Sequence, residues 1–533
     1  HSQYATFPHT AGLFLNLCLL IGVANCNGAA TKDQHLLNQP KAQSLYNASD
    51  NVIILNASNF NSTVYGDSKG WLVKFYNSWC GACVRFAPTW KAFDIVVIAA
   101  INCVDSNENN AMCREYEVVS YPSIKYFSLN ADTSSLGTMM DKVRTVEGLR
   151  YNLVERLVKE QEEGRGSSWP NIIPYKYVRF SWKDSYLGTE VILDLHHIPI
   201  IQIRRVTSEN ELWFETNKLL DTSTQKIMVS QLSLPFEEMK ERDSSISEVM
   251  VSQDSFLIKE EKKSSIREED NLYQLDLENA LRYSLFREIP LSKNIKGEKL
   301  EVLKNYLSLL ARYFPFRHNC SNLEGIYNVT NEKEEITGKD FIQLLKSDKQ
   351  MSSIYSGPSQ WVGCKGSSEG YRGYPCGLWT LYHMLSVNCA IQDNGFSQND
   401  SMEVLKTMHG YVKHFFGCED CVQHFLEMAS KNKIFEVRTG DENILWLWKA
   451  HNEVNAKLAG DATEDPKHKK IQYPAAEHCP FCRYANNSWD EEQVLSYLKQ
   501  KYSYAAINYC DATDKQQSTK ICREKKLYKV NVC

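Results

Sequence analysis

Apart from one short run near the start, no stretch of this chain approaches the ~20 uninterrupted apolar residues that a bilayer-spanning helix requires, so no transmembrane anchor is expected. The chain also lacks a dominant charge. Its 60 Lys and Arg face 65 Asp and Glu for a net charge of -5, and the Lys-rich runs sit beside acids, which argues against nucleic acid as a partner. No GxGxxG fingerprint occurs, which excludes a Rossmann dinucleotide site. No Lys or Arg precedes the apolar run Ala11 to Val23, in a chain that opens on His1. That run nevertheless has the length of a signal h-region, and small residues from Ala24 to Ala30 follow it. Residues 1–30 are therefore expected to be a secretory signal.

What is present is a chain of 533 residues with 43% hydrophobic content, enough for three or four domains with their own cores. Glycosylation sequons at Asn47, Asn56, Asn61, Asn319, Asn328, Asn399 and Asn486 suit a luminal or secreted chain. Most of the 17 cysteines fall in close pairs, the pattern of an oxidising compartment. By spacing the pairs are Cys80 with Cys83, Cys103 with Cys113, Cys364 with Cys376, Cys418 with Cys421, and Cys479 with Cys482. Cys320, Cys389, Cys510, Cys522 and Cys533 have no assigned partner, and proximity alone would join Cys510 to Cys522.

The segment WLVKFYNSWC runs as a strand straight into a helix that opens at the Cys80-Gly81-Ala82-Cys83 motif. A second strand, Ile95 to Ile101, precedes Cys103, and Tyr121-Pro122 leads into a third. Residues 45–160 thus resemble a redox-active thioredoxin domain. The resemblance implies that Pro122 is cis and faces the CxxC, presenting backbone to an incoming substrate strand, and that Cys103–Cys113 is structural. A helix N-terminus exposes the Cys80 sulfur and lowers its pKa, leaving Cys83 as the buried resolving partner. Position 82 is Ala where disulfide-isomerase-like sites carry His, and this predicts a weaker oxidant. Only eleven residues, Val84 to Asp94, separate Cys83 from the second strand. Thioredoxin domains use a longer helix there, so either a missing segment or a truly shortened helix is expected, and with it a less stable domain.

Residues 165–275 read as a second, cysteine-free thioredoxin-like unit ending in the charged stretch 235–270, a linker on which domains would hinge. A helix-rich region follows at 276–350. Beyond Gly357, Cys376, Trp379 and His383 recur at i, i+3 and i+7 on one helix face, and Cys421 and His424 repeat the i, i+3 spacing. A third helix carries Trp448, Asn452 and Asn455 on a shared face, with His451 at its edge. Any one of these residues has an ordinary core role. Together beside a CxxC they supply rings for stacking, polar donors and a sulfur, the requirements of a flavin site.

The arrangement resembles the Erv-type helical bundle at 357–505, followed by a tail at 506–533. The whole chain resembles the quiescin sulfhydryl oxidases, thioredoxin domains fused to such a bundle. That resemblance assigns FAD contacts to Arg372, Trp379, His383, Asp420, His424, Trp448, His451, Asn452, Val454, Asn455, Lys470 and Tyr473, where Tyr473 replaces the family's usual Trp. It makes Cys364–Cys376 and Cys479–Cys482 structural or accessory disulfides. It implies a relay in which protein thiols reduce Cys80–Cys83, then Cys418–Cys421, then FAD and finally dioxygen, giving hydrogen peroxide. Reduced secretory proteins would be substrates, in the Golgi lumen or outside the cell. The alternatives are a disulfide isomerase or reductase with a passive back half, a scaffold, or a zinc module joining Cys418–Cys421 to Cys479–Cys482. The last is disfavoured by a spacing far beyond a zinc ribbon, and no metal is expected.

Overall fold

The computed structural model describes residues 43–93, 97–165, 271–316, 321–348, 359–392 and 402–509. The expected signal, the second thioredoxin-like unit with its charged linker (166–270), and Cys320, Cys510, Cys522 and Cys533 lie outside the described residues.

In the front half, strands β1 (Ile53–Leu55), β2 (Trp71–Tyr76), β3 (Val97–Asn102), β4 (Ser123–Phe127) and β5 (Thr138–Met139) form one sheet in the order β1-β3-β2-β4-β5. Strand β2 is buried along its whole length, as befits a central strand covered on both faces. It runs parallel to β3, with Val73 opposite Ala99, and antiparallel to β4, with Trp71 opposite Phe127. Between β2 and β3 the helix α2 (Gly81–Lys91) opens directly after Cys80. This helix is short and contains Pro88, yet β3 pairs in register with both β1 and β2. Phe86, Trp90 and Phe93 are buried beneath it. The shortened connection thus leaves the sheet its central strand. Helix α3 (Asn107–Glu115), capped by Ser106, carries Cys113 to its bridge with Cys103, and α4 (Val146–Glu162) closes the layer.

The back half is helical. A short strand β6 (Leu272–Tyr273) enters α5 (Gln274–Tyr283), every residue of which is buried. The chain continues through a π turn, Ser284–Glu288, and a 3-10 turn, Ile289–Leu291. After β7 (Asn294–Lys296), helix α6 (Glu298–Tyr313) buries Leu300, Leu303, Leu307 and Leu310, the stripe of an amphipathic helix. Then come α7 (Ser321–Asn331), β8 (Glu335–Thr337), α8 (Gly338–Ser347) and the bundle α9 (Gly373–Gln392), α10 (Glu403–Phe415), α11 (Glu419–Lys431), α12 (Gly440–Leu458) and α13 (Glu491–Tyr502). No described helix is long and apolar enough to cross a membrane.

Regions 276–350 and 357–505, read as separate in the sequence, share one hydrophobic core. The expected tail begins inside the fold, since β9 (Ile507–Asn508) pairs with β6. Asp276 explains part of this union: its buried carboxylate accepts hydrogen bonds from the Val362 and Cys364 amides at 2.7 and 3.0 Å. Burial pushes its pKa up to about 6 against those bonds. Asp276→Ala should strand two buried amides and cost about 2–3 kcal/mol in thermal unfolding.

Candidate active site between two cysteine pairs

The thioredoxin layer is docked on the bundle with the two CxxC motifs facing each other. Tyr121 donates its amide to the Gly417 carbonyl at 2.6 Å, and its own carbonyl accepts from the Glu419 amide at 3.2 Å. These bonds form a parallel bridge between Tyr121 and Cys418. Pro122, cis after Tyr121, has no amide to donate, so the backbone expected from the proline is supplied by its neighbour. The segment it meets belongs to the chain itself. Trp79 and Val104 reach into the helical core, while Leu291 and Cys418 join the thioredoxin core. A Cβ on Gly373 would come within 2.1 Å of the Trp79 ring, so only glycine admits that indole. At the rim Ser120 and Lys142 hold Glu419, and Arg85 pairs with Asp461 at 3.6 Å.

Cys80 and Cys83 are unbridged thiols, whereas Cys418 and Cys421 form a disulfide at the start of α11. Cys83 is fully buried as expected, but docking also leaves Cys80 only 2% exposed. Burial pushes the Cys80 thiol well above its ordinary value, the reverse of the shift expected from the helix terminus alone. At Cys83 burial also pushes upward, but a hydrogen bond from Cys80 and the charge of Lys74 outweigh it and hold the thiol low. Lys74 was not singled out in the sequence, although a lysine inside the apolar run WLVKFY was its signal. It is fully buried on β2 and donates to the Tyr46 hydroxyl at 2.6 Å and the Cys83 carbonyl at 3.4 Å. Burial brings its pKa down to about 8.

A small cavity between the motifs is lined by Asn77, Trp79, Cys80, Glu288, Tyr374 and Cys418, among others. Glu288, in the π turn after α5, is buried and accepts from the Gly417 amide at 2.6 Å and from Asn77 at 3.3 Å. Burial raises its pKa to about 8. No sequence motif marks this residue.

Within the bundle, Trp379 of α9 stacks on His451 of α12 with centroids 4.3 Å apart, and His383 Nε2 lies 3.1 Å from His451 Nδ1. Burial holds both imidazoles neutral, His383 down to about 3. Asn452 Nδ2 donates to the Tyr473 carbonyl at 2.8 Å and its Oδ1 accepts the Tyr473 amide, also at 2.8 Å. Asn455 holds the Ile471 carbonyl at 3.1 Å. The 470–474 strip is thereby tied to α12. Burial lowers the Lys470 pKa, and the positive charge of Arg372 lowers it further, so two cations face one another.

Neutral stacked rings beside two converging cations suit a flavin and its pyrophosphate, and these residues fit FAD. Val454 packs at the edge of the core, Cys421 and Asp420 are half-buried on the first turn of α11, and His424 is exposed one turn on. Trp448 lies deeper than these residues. It packs with Val387, Val494, Leu498 and Cys482 of the Cys479–Cys482 bridge, and its indole N–H donates to the Tyr473 carbonyl at 2.5 Å. It therefore helps to position the strip. The Tyr473 hydroxyl is held 2.7 Å from that of Tyr497. Cys364–Cys376 pins the loop before α9. Both pairs of the zinc alternative are bridged, which removes the thiolates that reading requires.

Two outcomes follow from this geometry. Lys74→Met, which removes the cation beside Cys83, should lower the Cys80–Cys83 reduction potential by about 30 mV, roughly tenfold in a glutathione redox titration. Gly417→Ala, whose Cβ would lie 2.8 Å from the buried Tyr121 ring, should open the docked arrangement, read as a larger radius of gyration by small-angle X-ray scattering.

Three family models match the chain: thioredoxin over residues 51–149, the flavin adenine dinucleotide (FAD)-dependent sulfhydryl oxidase over 268–367, and the Erv1 / Alr family over 376–474. Sulfhydryl oxidase 1 of Gallus gallus is 32% identical over 515 residues, covering 87% of this chain and 68% of that protein. Its Cavia porcellus counterpart is 31% identical, with coverage of 87% and 82%. Sulfhydryl oxidase 2 of Homo sapiens is 31% identical, with coverage of 86% and 73%. A solved sulfhydryl oxidase fragment of human QSOX1 is 35% identical over 45% of this chain and 99% of its own, with a TM-score of 0.42. The chain belongs to the sulfhydryl oxidase family, as an FAD-dependent enzyme that oxidises protein thiols to disulfides with dioxygen as the final acceptor.

Proposed function

We propose that this chain oxidises reduced, unfolded or partly folded secretory proteins, in the Golgi lumen or outside the cell, through a relay from Cys80–Cys83 to Cys418–Cys421. The observation that carries the relay is the Tyr121 backbone bridge, which seats Cys418 in the groove beside Cys80. The seven sequons and the expected signal support the secretory setting.

In the proposed cycle a substrate thiolate attacks the Cys80 sulfur of the oxidised pair, and a second substrate thiol resolves the mixed disulfide. The reduced domain then docks, and Cys80 attacks Cys418 while Cys83 waits to release it. Cys421, the disulfide partner of Cys418 on the first turn of α11, would pass the electrons on toward the cofactor. Arg372 and Lys470 would hold the pyrophosphate of FAD. Trp379, His383 and His451 would line its rings, and the backbone tied by Asn452 and Asn455 would shape its cradle. When bound, FAD takes two electrons from the dithiol and passes them to dioxygen, yielding hydrogen peroxide.

Cys80→Ser should abolish oxygen uptake with a reduced, unfolded protein substrate while the purified chain keeps its flavin absorbance between roughly 350 and 500 nm. Cys421→Ser should abolish uptake with every thiol. Undiminished uptake by Cys80→Ser would sink the relay as drawn.

A further inference from the structure

The transfer between the two cysteine pairs moves protons as well as electrons, and in the docked arrangement Cys80 and Cys418 are only 2% and 3% exposed. Bulk water therefore has little access to either sulfur. Glu288 lines the cavity they share. It is fixed from both sides, by the Gly417 amide next to Cys418 and by the Asn77 amide three residues before Cys80. It sits at the end of a π turn, Ser284–Glu288, an irregularity often found at functional sites. We propose that Glu288 is the proton carrier of this exchange, taking the proton of Cys80 and returning it to Cys418. The proposal rests on the relay described above.

The carboxylate accepts the Cys80 proton as Cys80 attacks Cys418. The Cys80–Cys418 bond forms, the Cys418–Cys421 bond breaks, and the electron pair leaves on Cys421 as thiolate. Cys83, which enters the docked form already as the thiolate beside the Lys74 cation, then attacks Cys80. The Cys80–Cys83 bond forms, the Cys80–Cys418 bond breaks, and the electron pair departs on Cys418, which takes the proton back from Glu288. Two electrons cross, the carboxylate is regenerated, and the reduced pair is left as the Cys418 thiol and the Cys421 thiolate.

The groups facing Glu288 leave it the function. Tyr121, Tyr283, Tyr374 and Tyr411 are all pushed well up by burial and stay neutral. The neighbouring Arg287 guanidinium is engaged by Asn107. Burial brings the carboxyl to about 8, close enough to neutrality for it to take up and give back a proton.

The test uses the full flavin-loaded chain, mixed anaerobically with a reduced, unfolded ribonuclease between pH 6 and 9.5. Rapid acid quench and alkylation then count thiols at Cys80/Cys83 and at Cys418/Cys421. In the wild type, redistribution between the pairs should show an inflection near pH 8. Glu288→Gln should slow it on the order of 10²-fold and erase the inflection, while Glu288→Asp should restore an inflection and much of the rate. A Glu288→Gln chain as fast as wild type, or slower by one factor at every pH with the inflection intact, would overturn the proposal. Were Glu288→Gln to misfold, judged by its melting curve, a flat wild-type and Glu288→Asp pH profile would overturn it equally. Failure of the relay itself would look different, because thiols in the wild type would never reach Cys418 and Cys421.

Discussion

The docked architecture hangs on two backbone hydrogen bonds, from Tyr121 to Gly417 and from Glu419 to Tyr121. Backbone pairing fixes the register of two loops without any side chain being specified, and here it sets a sulfur of one domain against the redox site of another. The indole of Trp79 in the notch at Gly373, and Glu288 between Asn77 and Gly417, are further contacts that the same register places. Shifting it by one residue would point Cys418 away from Cys80 and separate all of them.

Around that contact the two halves meet by exchange of side chains rather than across a flat boundary. Trp79 and Val104 pack with the helical core, and Leu291 and Cys418 with the thioredoxin core. In the proposed relay substrate reaches Cys80 from outside, which requires the docked form to alternate with an open one. The buried polar groups at the joint, Asn77, Glu288 and the Tyr283 hydroxyl, suit such a reversible contact, because each is hydrogen-bonded when docked and can be hydrated when apart.

The sequence made the local motifs legible and the relations between them only in part. The cysteine spacings, the strand and helix around Cys80, and the aromatic and polar faces of α9 and α12 all follow short-range periodicity, which is where single sequences are informative. The packing of Trp448 was not legible, because helical spacing reports a face but not what covers it. Its partners, the Tyr473 carbonyl and Cys482, arrive from later in the chain. Lys74 and Glu288 escaped because a buried charge is defined by long-range packing, and their neighbours reach them from other segments: Tyr46 and Cys83 for one, Asn77 and Gly417 for the other. The short connection from Cys83 to β3 predicted a weakened domain, yet the sheet forms around it, since β3 gains its pairing from β1 and β2 rather than from the length of α2.

Tyr121 has one amide and one carbonyl, and both are consumed by residues 417–419. A protein substrate approaching Cys80 through the same groove would need the same two groups. The bundle and the substrate are therefore competing ligands for a single binding face. In the proposed relay a reduced domain engaged with the bundle would be shielded from re-reducing the protein it has just oxidised, so discharge of electrons toward the flavin would be kinetically separated from their reverse flow. The same exclusivity means that a crowd of thiols draws the domain away from its own acceptor, and turnover then depends on how quickly one occupant yields the groove to the other.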